Sequence, residues 1–192
     1  MNITSNSAAI DADFLNHIVE IDRSAPEIAE ILSKVLSGLG VVAIIHPLVL
    51  VREMILRRDR VDLLLSNDVI NAPSFQDILQ GDEAKTSYYE FLVRELYRKL
   101  TGNILETGSQ DVFTYWIAGK SLGEVHSVSM CLICGCGIFL SDDNDSKYLK
   151  RIVDEDMLGS IEVYDRKEIL NQIGSGVLIR PERRAFARTI RE

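Results

Sequence analysis

The amino-acid sequence predicts an α/β fold in which a central parallel sheet lies between two layers of helices. Short apolar runs typical of buried strands alternate with longer helical patterns, and this alternation is typical of a sheet wound on both faces. Val41–Ile45 is the clearest strand, because a nearly continuous β-branched run indicates burial on both sides. The other predicted strands are Ala8–Ile10, Ile138–Leu140 and Ile161–Tyr164.

The helix signals are strongest after the first strand, where a short helix is expected over Asp13–Val19. Ser24 and Glu27 have the spacing of a capping box, and Pro26 falls in the first turn. That helix is expected to run to about Leu36 and to stop at one of the two following glycines, Gly38 or Gly40.

Further helices are expected after each later strand. One begins at Pro47, carries Glu53 and is predicted to continue to the basic residues Arg57, Arg58 and Arg60. The remaining three are expected from Asp145 to about Asp154, over Asp165–Ile173 and in the tail Arg180–Arg191.

The segment 59–121 is predicted to be a helical elaboration of a single domain that spans residues 1–192. Its apolar side chains at helical spacing predict one buried stripe, formed by Tyr88, Phe91, Leu92, Leu96 and Leu100. Such a stripe packs either into the core or into a dimer interface, and both remain open. A shorter aromatic helix is expected over Asp111–Ala118.

The composition restricts the classes of function. Hydrophobic residues make up 46% of the chain and charged residues 26%, as in soluble globular proteins with a sizeable core. The net charge of −8 argues against a surface that binds nucleic acid everywhere, but it leaves room for a local basic rim. The longest apolar runs are too short to span a bilayer, and no basic region of a signal peptide precedes Arg23. A cytoplasmic protein without a membrane partner is expected.

Acidic residues follow or begin several of the predicted elements. Asp11 follows the first strand, Glu53 lies on the helix after the second, and Glu124 begins an apolar helix. A later strand ends in Asp142 and Asp143. Ligands of open α/β sheets bind at the carboxyl ends of strands, and clustered carboxylates repel unless a cation lies among them. The pattern therefore predicts a site for a hard divalent ion, which prefers oxygen ligands.

This order of motifs resembles the PIN-domain family of metal-dependent nucleases. Ala9–Leu15 is similar to the opening strand and aspartate of the family, and Val41–Glu53 is similar to its second strand and the helix that bears the second acid. Leu122–Glu124 and Gly137–Asp143 resemble the third and fourth acidic motifs. The resemblance covers the two ends of the chain and leaves the predicted elaboration unmatched.

The resemblance implies a PIN-like three-layer α/β/α fold and an endoribonuclease, a hydrolase in which Mg²⁺ or Mn²⁺ activates water for attack on RNA phosphodiesters. It implies catalytic roles for Asp11, Glu53, Glu124 and Asp143 and metal ligands among Asp11, Glu124, Asp142 and Asp143, with Asp143 preferred over Asp142. Weaker expectations for substrate binding concern Asp13, Arg52, Arg57, Arg58, Ser141 and Asp145. A homodimer and a protein partner such as an antitoxin, in a toxin–antitoxin-like role, are left open.

Each acidic residue also has a simpler explanation. Asp11 could cap the helix that follows it. Glu53 could pair with Arg57 one turn later, and Glu124 favours a helix start whatever its function. A solvated turn could account for the remaining acids, Asp142, Asp143 and Asp145.

Two other functions compete with the nuclease. A haloacid-dehalogenase-type phosphatase would use Asp11 and Asp13 as its D-x-D motif, but Leu15 and Asn16 stand where that family has a small hydroxyl residue. It also leaves the predicted glutamates unused. The third alternative is a catalytically inactive PIN-like binding module, with the elaboration as its partner surface.

The remaining chemistry-bearing residues favour structural roles. His126, Cys131, Cys134 and Cys136 have a spacing that could hold zinc or form a redox pair, but small buried side chains in an apolar run explain the cysteines better. Arginines in the segments Arg52–Arg60 and Arg180–Arg191 are either solvated helix charges or a rim that holds phosphates.

Overall fold

A computed structural model describes residues 6–106, 108, 110–117 and 121–188 of the chain. Within these ranges one sheet has the strand order β3-β2-β1-β4-β5, and every pairing in it is parallel. The α/β class and the central parallel sheet are confirmed. The strands are β1 (Ser7–Ile10), β2 (Val42–Ile45), β3 (Ile70–Asn71), β4 (Ile138–Leu140) and β5 (Glu162–Tyr164).

Helices of the described ranges cover both faces of the sheet. None of them is long and apolar enough to cross a membrane. A 3₁₀ turn spans Ile55–Arg57. The helices are α1 (Ala12–Val19), α2 (Ala25–Leu39), α3 (Pro47–Arg52), α4 (Arg58–Ser66), α5 (Phe75–Leu79), α6 (Glu83–Thr101), α7 (Leu122–Cys134), α8 (Asn144–Glu155), α9 (Arg166–Gln172) and α10 (Arg180–Ala187).

Alternate residues of the central strands face opposite helical layers. Ala8 and Ile10 of β1 pack with α1, α2, α4, α9 and α10, whereas Ala9 packs with α5, α6, α7 and α8. In β2, Ile45 packs with the first of these layers and Ile44 packs with the second. Because side chains alternate across a strand, both faces of the sheet are covered, which explains the continuous apolar runs in the sequence.

The winding of the chain reverses at β1. The strands β2 and β3 lie on one side of it, and β4 and β5 lie on the other. The N–H of Asp11 donates to the carbonyl of Leu140 at 2.9 Å, so the carboxyl ends of β1 and β4 stay side by side. Open α/β sheets bind ligands at such a reversal. The fold therefore places its candidate site where Asp11 and the loop after β4 meet.

The predicted start and end of α2 are confirmed. Ser24 and Glu27 form the reciprocal hydrogen bonds of a capping box. The helix ends at Gly40, whose φ of 70° lies in the left-handed region that glycine adopts readily.

The prediction of one long helix from Pro47 to the basic residues is wrong. The helix α3 ends at Arg52, and Glu53 is its C-cap residue. The N–H groups of Glu53 and Met54 both donate to the carbonyl of Val49, and the completely buried Met54 turns the chain inward. The predicted basic end of the helix instead lies in the 3₁₀ turn and in α4.

The elaboration is less helical than predicted. It contains β3, which extends the sheet at one edge, and a strand of two residues is too short to leave a periodic pattern. The predicted helix over Asp111–Ala118 is wrong for residues 111–117, which contain a turn at 112–114 and no helix; residue 118 lies outside the described residues. The tail helix is present as α10, and residues 189–191 of its predicted span also lie outside them.

The predicted apolar stripe of α6 is only partly correct. Leu92 and Leu96 are buried, but Tyr88 and Phe91 are 40% and 50% exposed and stack on each other. The neighbouring Tyr89 is buried instead, because its hydroxyl bonds to two buried histidines. The dimer interface stays a prediction.

Candidate metal centre

Asp11 is the most buried acid of the candidate site. It is 1% exposed and follows β1 directly. Asp11 occupies the N-cap position of α1, but its side chain makes no capping hydrogen bond to that helix, so capping does not account for its burial. Its Oδ2 accepts a hydrogen bond from Ser141 Oγ at 3.1 Å, whereas Oδ1 is buried without a partner in the described part of the chain. A buried carboxylate oxygen without a donor is costly, which indicates that a ligand belongs there.

Glu53 reaches this site because residue 123 is a glycine. A Cβ atom at Gly123 would lie 2.4 Å from Glu53 Oε1 and 3.0 Å from Oε2, so a larger residue at this position would push the flexible end of the Glu53 side chain aside. The missing side chain thus makes room for the Glu53 carboxylate against the first turn of α7. Glu124 follows immediately in that turn, so the two glutamates enter the site together.

The pKa values of the three acids show that their charges interact. Burial raises the pKa of Asp11, and the charges of Glu124 and Glu53 raise it further. Burial, and then Glu124, raises the pKa of Glu53 to about 7. Burial also raises the pKa of Glu124 to about 7, with a further contribution from Asp143. We call Asp11, Glu53 and Glu124 the carboxylate cluster.

Asp143 borders the carboxylate cluster from the loop after β4. Its side chain accepts a hydrogen bond from the N–H of Asp145 at 2.8 Å and caps α8, and its own N–H donates to Ser141 Oγ at 3.2 Å. Ser146 Oγ donates to the same Ser141 oxygen at 2.7 Å. Because Ser141 in turn donates to Asp11, a chain of hydroxyl groups connects the start of α8 to the centre of the site.

Asp142 belongs to a different set of contacts. It accepts hydrogen bonds from the Nε and the backbone N–H of Arg166, the latter at 3.1 Å, and His17 Nδ1 lies 3.0 Å from its carboxylate. His17, which no motif in the sequence singles out, is therefore part of an ion-paired group. Asp13 lies 3.7 Å from the same nitrogen and is 45% exposed. We call Asp142, His17 and Arg166 the ion-paired cluster.

Ligating atoms of Asp13, His17 and Asp142 lie within 4.8 Å of one another. The Arg166 guanidinium already neutralises Asp142, so these residues need no metal ion to be stable. The contacts of Asp142 therefore do not require a metal ion, and the side chain of Asp143 caps α8, so the preference for Asp143 as a ligand stays a prediction.

Comparisons of the chain with protein-family models, curated proteins and solved structures gave no match. Among the described residues, only Asp13, His17 and Asp142 form a group whose ligand atoms all lie within 4.8 Å of one another, so a metal ion would have to draw the carboxylates of the proposed site closer together. The donor atoms of that site are nevertheless of the chemical type that a divalent ion takes. They are carboxylate oxygens of Asp11, Glu53, Glu124 and Asp143, which are the hard ligands that Mg²⁺ and Mn²⁺ take. The unpartnered Asp11 Oδ1 provides one ligand atom, and the absence of a side chain at Gly123 lets the Glu53 carboxylate lie beside Glu124 as a second source of ligands.

Two of the arginines expected to bind substrate are engaged elsewhere. Arg57 pairs with Glu20, so the simpler explanation that Arg57 neutralises Glu53 is wrong. Arg58 pairs with Asp62 at 2.7 Å. Arg52 has no acidic partner in the described ranges and immediately precedes Glu53.

The last helix contributes a basic group whose position the sequence could not reveal. Arg166 Nη1 donates to the carbonyl of Arg188 at 2.9 Å while its Nε bonds to Asp142, so the end of α10 is held beside the site loop. Arg184 and Arg188 are exposed, and neither has an acidic partner in the part of the chain that the structure describes.

The remaining predicted residues take supporting positions. Asp145 accepts a hydrogen bond from Ser121 Oγ at 2.8 Å, which connects α8 to the start of α7. Cys131 and Cys136 are buried and Cys134 is half-buried, as expected for small apolar side chains. No metal-ligand group that includes a cysteine occurs among the described residues.

Proposed function

We propose that this protein is a metal-dependent endoribonuclease of the PIN-domain type, which hydrolyses RNA phosphodiesters with Mg²⁺ or Mn²⁺. The observation that carries the proposal is the carboxylate cluster, in which Asp11 is buried and Glu53 and Glu124 are half-buried. In the part of the chain that the structure describes, no basic side chain pairs with the cluster, and Asp11 Oδ1 has no hydrogen-bond partner. Several carboxylates in one place are stable either when they are protonated or when a cation lies among them. The resemblance of the four acidic motifs to the PIN-domain family selects the nuclease among metal-dependent functions.

The protein residues would bind and orient the ion. Ser141 donates a hydrogen bond to Oδ2 of Asp11, so Oδ1 would be the atom that binds the ion. Gly123 lets Glu53 approach beside Glu124, and Asp143 completes the oxygen ligands from the loop after β4. When bound, the ion supplies polarisation of a phosphodiester oxygen and a lowered pKa for an attacking water. No covalent nucleophile is required.

The exposed arginines support a nucleic-acid substrate. Arg188 and Arg184 lie on the helix whose end is held at the site loop, and Arg52 adjoins Glu53. None of the three has an acidic partner in the described ranges. Contacts from arginine to phosphate oxygens fix the register of a nucleic acid without reading its sequence. A local basic rim of this kind is compatible with the acidic net charge of the chain.

The two alternatives have less support. The phosphatase requires Asp13 beside Asp11, but Asp13 is half-exposed and faces His17. It also leaves unexplained why Glu53 is brought against Glu124. A binding module without catalysis has no use for a buried cluster of unneutralised acids, which costs stability.

The test is an assay of purified protein on end-labelled single-stranded RNA and on p-nitrophenyl phosphate, with Mn²⁺, Mg²⁺ or EDTA. We expect RNA cleavage with metal, none with EDTA, and no hydrolysis of the monoester. Asp11→Asn should lower cleavage on the order of a hundredfold or more, as for other lost electrostatic groups. Asp154→Asn, which removes an equal charge from the exposed face of α8, is the matched control. Metal-independent cleavage, or equal rates for Asp11→Asn and the parent, would refute the proposal.

A further inference from the structure

A second polar group lies in the core, between α6 and the two helices that carry the glutamates. His46, Tyr89 and His126 are completely buried. The Tyr89 hydroxyl lies 2.8 Å from His46 Nε2 and 2.7 Å from His126 Nδ1, and the two imidazole rings stack with centroids 5.1 Å apart. We call these three residues the Tyr89 hub.

The hydrogen bonds of the Tyr89 hub have one consistent direction. His46 Nδ1 accepts from the N–H of Leu48 at 3.2 Å, so a neutral His46 carries its proton on Nε2 and donates it to the Tyr89 oxygen. The Tyr89 hydroxyl then donates to His126 Nδ1, which leaves the His126 proton on Nε2. Both hydrogen bonds therefore depend on the single hydroxyl of Tyr89.

The Tyr89 hub joins the two helices that deliver Glu53 and Glu124. His46 caps α3, and Glu53 ends the same helix. His126 lies in α7 two residues after Glu124. Tyr89 comes from α6, within the elaboration for which the resemblance offers no role. One hydroxyl from the elaboration thus bonds to both helices of the site.

The position of α3 relative to α7 determines how close the two glutamates lie. The Glu53 carboxylate lies against Gly123, the residue before Glu124, so a shift of α3 relative to α7 moves one glutamate away from the other. We propose that Tyr89 is a positioning residue whose hydroxyl sets the spacing of α3 and α7, and thereby holds Glu53 and Glu124 as joint ligands of one divalent ion. This inference rests on the proposed metal-dependent function.

The test compares Tyr89→Phe with Val93→Ala in the full-length protein. Val93 lies one turn later on the same face of α6 and is completely buried in the same apolar core cluster, but it has no polar contact with the histidines. Mn²⁺ affinity is measured by titration calorimetry, and the stability of the metal-free protein by thermal melting. Loss of groups that orient metal ligands typically weakens binding about ten- to a hundredfold. We expect that loss for Tyr89→Phe, and parental Mn²⁺ affinity for Val93→Ala despite its lower stability.

A pair of substitutions at position 126 tests the same contact from the other side and serves if Tyr89→Phe does not fold. The amide oxygen of His126→Asn can accept from Tyr89 in place of Nδ1, whereas His126→Leu cannot. We expect His126→Asn to retain Mn²⁺ affinity better than His126→Leu.

The outcomes separate this inference from the proposed function. A parent protein that binds Mn²⁺ normally, with Tyr89→Phe equal to it, overturns the role of Tyr89 and leaves the metal centre intact. Equal weakening by Tyr89→Phe and Val93→Ala also overturns it, because general loss of stability would then explain the effect. A parent protein that binds no Mn²⁺ overturns the proposed function and this inference together.

Discussion

Two acidic groups lie side by side at the carboxyl edge of the sheet, and they differ in how their charge is balanced. In the ion-paired cluster, the Asp142 carboxylate contacts the Arg166 guanidinium and the His17 imidazole. In the carboxylate cluster, Asp11 Oδ1 has no donor in the described part of the chain, and the neighbouring charges are negative. The first group is complete within the protein, whereas the second gains stability from an added cation. Burial and acidic composition alone do not distinguish them.

The contrast also gives the two groups different roles. Arg166 connects Asp142 to the carbonyls of Phe186 and Arg188, so the ion-paired cluster holds α10 on the loop after β4. That loop continues directly into Asp143, whose charge helps to raise the pKa of Glu124. Asp142 thus fixes the loop, whereas the negative charge of Asp143 adds to that of the carboxylate cluster.

The largest expected effect is a difference in sign between Asp11→Asn and Asp142→Asn in the metal-free protein. Asp11→Asn removes repulsion and should raise the melting temperature in EDTA. Asp142→Asn leaves the buried Arg166 without its charge partner, which costs on the order of 3 kcal/mol, so the melting temperature should fall by several degrees. Added Mn²⁺ should stabilise Asp142→Asn as it does the parent, and Asp11→Asn much less.

Thermal melts of the three proteins with EDTA and with Mn²⁺ provide the measurement. The comparison of the two clusters fails if both variants respond to Mn²⁺ as the parent does. It also fails if Asp11→Asn destabilises the metal-free protein as Asp142→Asn does, because Asp11 would then be a structural acid.

The second prediction concerns pH. The pKa of Glu53 is about 7 in the folded protein and 4.5 as its ordinary value, so the folded state binds more protons between these pH values. The free energy of unfolding without metal should therefore fall as the pH rises from about 4.5 to 7 and should level off above that range. The contribution of Glu53 is on the order of 3 kcal/mol, from about 1.4 kcal/mol for each unit of pKa.

Glu53→Gln removes the titrating group and is the matched variant. Urea unfolding in EDTA across this range should show that the parent loses stability with rising pH relative to Glu53→Gln. At the upper end of this pH range, saturating Mn²⁺ should make the parent more stable than Glu53→Gln, since only the parent has the full ligand set. Identical pH dependence of the two proteins would show that Glu53 is solvated rather than part of the cluster.

The sequence was sufficient to predict the elements that carry Asp11, Glu124 and Asp143. Each of these residues adjoins a long helix or a continuously apolar strand, and parallel strands must end at a common edge. The ion pairing of Asp142 could not be predicted from local pattern, because its partner Arg166 lies 24 residues later in the sequence.

The prediction of which side chains of α6 are buried failed for a related reason. Tyr88 and Tyr89 are equivalent in apolar character, and the buried one is selected by hydroxyl contacts to His46 and His126 from distant helices. Similarly, the approach of Glu53 to the site could not be predicted without knowing that Gly123 lies against its carboxylate in the folded protein. Pairings across the fold of this kind leave no periodic signal in a single sequence.

The smallest expected effect concerns the end of α10, where the ion-paired cluster borders the proposed substrate path. Arg188→Gln removes one exposed charge, while the backbone carbonyl that Arg166 binds remains. If Arg188 contacts an RNA phosphate, affinity at low salt should fall a fewfold, and the slope of log affinity against log salt should decrease by about 0.7. Arg98→Gln, at the end of α6 and paired with Glu95, is the control and should change neither value. Fluorescence anisotropy with a short single-stranded RNA in EDTA measures both without cleavage. An unchanged salt slope in Arg188→Gln would place the substrate path away from α10, and the ion-paired cluster would then serve only to hold the loop that carries Asp143.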